Sequence, residues 1–100
     1  MLTKEEKSPL HLVPPEIIYS IADVLGATGG EDKKYKERDW ETNDWDWSVT
    51  YSALLRHLTK WWAGENIDEE TGFSHLDHAA TRLSFLIAYE KRGISNDDRP

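Results

Sequence analysis

Two runs of three- and four-residue apolar spacing, joined by a polar segment with a glycine at one end and a serine at the other, constrain this chain more than any other feature. From about Ser48 to Ala63, stepping 100° per residue, Tyr51, Leu54, Leu55, Leu58 and Trp61 or Trp62 share one helix face. His57 sits at the edge of that face and Arg56 roughly opposite. Asp46 or Ser48 is placed to accept the first free N–H groups, and Gly64 is a natural stop. Ser74 then caps a second run, His75 to Arg92, with Asp77 as a weaker capping-box acid and Gly93 as the terminator. Leu76, Ala79, Ala80, Leu83 and Ile87 form its expected core face. His75, His78, Arg82, Phe85 and Tyr89 recur at the same spacing on the other side. A helix with two such faces rarely shows both to water. The second stripe is therefore expected to line a ligand pocket, a subunit contact, or a pocket at such a contact.

Upstream, Pro14-Pro15-Glu16 reads as a helix start, since proline suits the first turn. A helix from about Pro15 to Leu25 follows, with Ile17, Ile18, Ile21, Ala22 and Leu25 on one stripe and Gly26, Gly29 and Gly30 ending it. Between Glu31 and Trp47 no period persists. This stretch reads as loop with one helical turn around Lys33 to Lys36, tucked onto the helices by Trp40, Trp45 and Trp47. The expected fold is a single all-α domain over 1–100 with three principal helices, a loose arm at 1–9 and a disordered tail at 94–100. A chain of 100 residues buries only a little over ~60% of its unfolded surface. Homo-oligomerisation is expected to complete the bundle, and five Trp, four Tyr and two Phe supply interface-forming side chains.

A net charge of -7 argues against a protein that tracks nucleic-acid phosphates. The absence of cysteine removes thiolate metal sites and disulfides, and no run of eighteen apolar residues offers a membrane span. A cytoplasmic protein with a small-molecule partner is expected. Its chemistry concentrates between Arg56 and Arg82, where the polar groups converge at two helix ends. His75 and His78, three apart, present both imidazoles on one surface, able to share a metal or bracket an anion. Adding Glu65, Asp68 or Asp77 gives a set suited to Mg²⁺, which prefers carboxylate oxygens and water. Arg56 and Arg82 can hold phosphate oxygens bidentately. Lys33, Lys34, Lys36 and Arg38, with Tyr35 and Trp40 nearby, suit a base or sugar ring beside phosphate. No Walker-type loop or placed nucleophile is present, so covalent catalysis is not expected.

The pattern Ala53-x-x-Arg56-His57, then Trp61 or Trp62, Gly64-Glu65-x-x-Asp68-x-Glu70-Thr71-Gly72-x-x-His75-Leu76-x-His78-Ala79, resembles the bacteriophage dATP/dGTP diphosphohydrolase N-terminal domain family. Pro9-Leu10, Val13-Pro14, Lys34-Tyr35 and Arg38-x-Trp40 fit its first half. The resemblance implies an all-α relative of MazG-like pyrophosphatases, acting in the host cytoplasm. It implies Mg²⁺-dependent release of pyrophosphate from a purine deoxynucleoside triphosphate. By position it makes Arg56, His57, Glu65, Asp68, Thr71, His75 and His78 site residues. Glu65 and Asp68 are then the candidate catalytic acids, and Glu65, Asp68 and Asp77 the candidate metal ligands. Lys34, Tyr35, Arg38, Trp40 and Arg82 join the nucleotide-binding set. MazG-like enzymes carry two pairs of helical acids, whereas here the comparable spacing, Glu65 to Asp68, falls in an expected loop and the second pair is absent. Two alternatives follow: a non-catalytic protein that sequesters a nucleotide signal such as a cyclic dinucleotide, and a purely structural oligomer.

Overall fold

Ser74 and Gly93 delimit the longest element as their chemistry requires. The Ser74 hydroxyl accepts the Leu76 N–H at 3.1 Å, and Gly93 adopts φ 65°, a left-handed geometry that lets its own N–H reach the Tyr89 carbonyl. The computed structural model describes residues 7–28 and 38–100. Within them lie α1 (Pro15–Thr28), the single-turn α2 (Asp39–Thr42), α3 (Trp47–Trp62) and α4 (His75–Arg92), preceded by a 3-10 turn at Leu10–Leu12. The fold is all-α with three principal helices. Among the described residues there are no strands, only two isolated bridges. The expected turn at Lys33 to Lys36, with Gly29 and Gly30, lies outside the described residues. α1 runs through Gly26 to Thr28, whose hydroxyl donates to the Val24 carbonyl, so an interior glycine costing about 1 kcal/mol did not stop it.

α4 is the central element, packed against both α3 and α1. The face it buries is not the expected one. Leu76, Leu83 and Ile87 are exposed, the last two by 46% and 47%, while His75, His78, Phe85 and Tyr89 are buried, His75 and Tyr89 to 1%. Ala79 alone of the aliphatic stripe is fully buried. On α3 the shift is partial: Leu54 of the expected face is buried with Thr50 and Ala53, while Tyr51, Leu55, Leu58 and Trp62 are exposed. Burial of the polar stripe is possible because its imidazoles find hydrogen-bond partners, which removes most of the penalty for taking them out of water.

The tail folds back along the start of α3. Asn96 accepts the Trp47 N–H and donates its own to the Trp45 carbonyl, and the Trp47 indole N–H bonds the Ile94 carbonyl at 3.0 Å. Asp98, fifty residues away, receives the Ser48 N–H at 2.9 Å. It does the capping that Asp46 does not, since the Asp46 side chain makes no cap bond to the helix and instead accepts from the Asn96 amide. These contacts hold the end of α4 beside the beginning of α3, so the two helices run antiparallel.

Candidate active site at the α3–α4 junction

The segment between α3 and α4 is an ordered turn. Gly64 at φ 104° reverses the chain, Ile67 and Ser74 form an antiparallel bridge, and Asp68 takes the Phe73 carbonyl with its N–H. The Asp68 carbonyl accepts from Thr71 and Gly72, the latter at φ 80°, so the turn closes on itself. Its Oδ1 accepts the Glu70 N–H at 3.0 Å. This folding brings Asp68 and Thr71 back over the first turn of α4.

Three imidazoles meet there. His57 from α3 stacks on His78 with ring centroids 4.6 Å apart, and its Nδ1 lies 2.9 Å from the Nδ1 of His75. The other His75 nitrogen, Nε2, contacts Glu65 Oε2 at 2.5 Å. His78 Nε2 is 2.6 Å from the Thr71 hydroxyl and 3.5 Å from Asp68 Oδ2. Burial, reinforced by the neighbouring imidazoles, lowers His57 from 6.5 to about 4. Burial also lowers His78, against the pull of Asp68. For Asp68, burial works upward, but the Glu70 N–H and the nearby imidazoles outweigh it and the carboxyl sits below its usual range. At neutral pH the His57 and His78 rings are uncharged, and the Glu70 N–H is the part of that preference that persists. The cluster is thus one carboxylate beside three imidazoles, of which His57 and His78 are held neutral.

A cavity of about 770 Å³ opens from this cluster toward α1 and α2. Arg38, Arg56, Lys60 and Arg82 line it together with His57, His75, His78, Asp68 and Thr71. Its aromatic wall is built on Trp40, which stacks on Phe85 at 5.1 Å and an interplanar angle of 16° and also approaches Tyr89. Trp40 is held from behind by Arg92, whose guanidinium lies 5.0 Å over the indole while bonding Glu41. Cations, an aromatic surface and an imidazole–carboxylate group in one concavity of this size suit a phosphorylated ligand with a flat ring.

Of the residues singled out from sequence, Arg38, Trp40, Arg56, His57, Asp68, Thr71, His75, His78 and Arg82 all line this cavity. Lys34 and Tyr35 lie outside the described residues. Glu65 stands one step back, held by His75, and Asp77 is not among the lining residues. Lys60 and Glu70 line the cavity without having been picked out. Lys60 was legible as the residue one helical turn beyond Arg56. Among the described residues, the side-chain group able to surround a metal ion is His57, Asp68 and His75, whose donor atoms lie within 4.8 Å of one another. No helix of the described residues is long and apolar enough to cross a membrane.

Comparison with known proteins agrees with the motif. A protein of Salmonella phage PMBT28 described as dATP/dGTP diphosphohydrolase is 31% identical over 93 residues, which are 93% of this chain and 30% of that protein. This chain therefore spans under a third of that relative's length. No solved structure matches the chain. The sequence profile of the family described as dATP/dGTP diphosphohydrolase, N-terminal, matches residues 2–99, and the chain belongs to that family.

Proposed function

We propose that the cavity binds a purine deoxynucleoside triphosphate, and that the activity it serves is hydrolysis to the monophosphate and pyrophosphate. The observation that carries this reading is the convergence of Arg38, Arg56 and Arg82 with Trp40 and the His57–Asp68–His75 group in one concavity. The guanidinium groups hold the phosphate oxygens, and Trp45, which lines the cavity beside Trp40 and is 41% exposed, stacks on the base. Asp68, kept ionised by the Glu70 N–H, and the neutral His57 accept a proton from water beside the phosphates. A bound divalent ion would add charge neutralisation and acidify water. The donors that gather within reach of one ion are two imidazoles and one carboxylate, His57, His75 and Asp68, a nitrogen-rich set that suits Mg²⁺ poorly. The presence of a single carboxylate in that donor group favours, as a second reading, a domain that holds an intact nucleotide without turning it over.

Incubating the protein with a panel of deoxynucleoside triphosphates and cyclic dinucleotides, with and without divalent metal, tests both readings. Metal-dependent pyrophosphate release supports hydrolysis. Intact nucleotide recovered after denaturation supports the binding reading. Retention of nothing, with no turnover, refutes both.

We also propose that a second copy of this chain covers the exposed stripes of α3 and α4. Tyr51, Leu55, Leu58 and Trp62 follow within about a quarter turn of Trp47, which bonds the end of α4, so they flank the α3–α4 seam. Leu76, Leu83 and Ile87 supply the matching stripe on α4. With about 200 Å² for a large side chain, these seven residues, on average half exposed, present roughly 700 Å². That approaches the ~800 Å² per partner of a standard interface and exceeds the usual patch on a monomer.

A further inference from the structure

Glu65 decides what the imidazole pair can bind. A carboxylate oxygen accepts hydrogen bonds, so this contact places a proton on His75 Nε2 and makes Nδ1 the ring's donor atom toward an ion. That Nδ1 lies 2.9 Å from His57 Nδ1. Two nitrogens bound to one ion at about 2.0–2.1 Å, in neighbouring octahedral positions, lie about 2.9 Å apart. Asp68 completes a three-donor set with all atoms within 4.8 Å. The ring–carboxylate pairing behind a histidine is the usual outer support of a metal-bound imidazole, where it fixes tautomer and orientation.

We infer that His57, His75 and Asp68 form a site for a first-row transition-metal dication, with Glu65 as a positioning residue behind His75 and not a ligand. Two imidazoles and one carboxylate at octahedral spacing suit Mn²⁺, Fe²⁺, Co²⁺ or Ni²⁺, whereas Mg²⁺ takes oxygens and waters. Three protein donors leave positions on the ion facing the cavity, toward Arg56 and Arg82. His75 is 1% exposed, so its orientation is fixed before any ion arrives. The site is argued from protein geometry alone, so it stands or falls apart from the nucleotide reading.

The test uses the full chain stripped with chelator and titrated with Co²⁺, whose visible absorption reports imidazole coordination, in the absence of nucleotide. One Co²⁺ per chain is expected, not displaced by Mg²⁺ in hundredfold excess. His57→Gln and Asp68→Asn are each expected to weaken binding by about a hundredfold, and Glu65→Gln by about 10–100-fold, the cost of losing an outer-shell partner. Asp77→Asn is expected to leave it unchanged. Far-UV circular dichroism checks that each variant is folded. Should His57→Gln fail to fold, wild-type imidazole NMR with substoichiometric Mn²⁺ replaces it, with His57 and His75 broadened and His11 sharp. Displacement by equal Mg²⁺, loss of binding in Asp77→Asn equal to that in Asp68→Asn, or broadening of His11 in place of His57 each overturns the inference.

Discussion

Acidification should destabilise the chelator-treated protein within one window, because His57 is held neutral in the fold. Its pKa falls from 6.5 to about 4, chiefly through burial. Above pH 6.5 both folded and unfolded chains carry the ring neutral, and the group has no effect on stability. Between 6.5 and about 4 the unfolded chain takes up a proton that the folded chain refuses, so stability falls with pH; below that both are protonated and this loss stops. The shift spans about 2.5 units, which at about 1.4 kcal/mol each is about 3.5 kcal/mol, and about 2–3 kcal/mol once partial exposure is allowed for. With a urea m-value of about 1–1.5 kcal/mol/M for a chain this size, the midpoint should drop by roughly 2 M between pH 7 and 4.5. His78, lowered by the same burial, adds in the same direction. Asp68 contributes only below its ordinary range, outside this window. The assay is urea unfolding in EDTA, followed by tryptophan fluorescence at half-unit pH steps, for the wild type and His57→Gln. A flat wild-type midpoint, or an equal slope in His57→Gln, would refute the assignment of His57 as a neutral, half-buried base.

Three further outcomes follow from particular contacts. Thr50→Val should stabilise by about 1–2 kcal/mol in thermal unfolding, since the Thr50 hydroxyl is buried without a hydrogen-bond partner; an unchanged or lower melting temperature would contradict that. Gly93→Ala should cost about 1 kcal/mol, because the cap needs φ 65° although space for a methyl group is open; a neutral melt would show that the cap can rearrange. Leu83→Glu should convert a dimer to a monomer in size-exclusion light scattering while leaving helical content unchanged, and an unaltered mass would remove the exposed stripe as an interface.

How much of this was legible from residues alone divides along one physical line. Helix positions are local: Ser74 and Gly93 marked α4 to the residue, and Gly64 marked the end of α3 within two. Which face turns inward is not local. Counting apolar residues pointed Leu83 and Ile87 to the interior, yet the single chain buries the histidine stripe because the α3–α4 turn returns Asp68, Thr71 and Glu65 to satisfy it. No spacing rule encodes that return. The Asp98 cap on α3 was invisible for the same reason, being a contact across fifty residues. The site itself was more legible than the core, since Arg56, His57, His75, His78 and Arg82 sit on helices whose phase was readable. The role of Glu65 behind His75 depended on how the turn folds, and sequence spacing alone did not show it.

The cavity between α1, α3 and α4 is the proposed seat of the nucleotide. Indole ¹H–¹⁵N NMR during titration with dATP or dGTP tests it most directly, because Trp40 lines the cavity and Trp62 is 84% exposed on another face. Saturable movement of the Trp40 indole signal, with Trp62 unmoved and the response lost in Arg82→Ala, is the predicted result. Movement of Trp62 with Trp40 still, or an Arg82→Ala titration indistinguishable from wild type, would contradict the account.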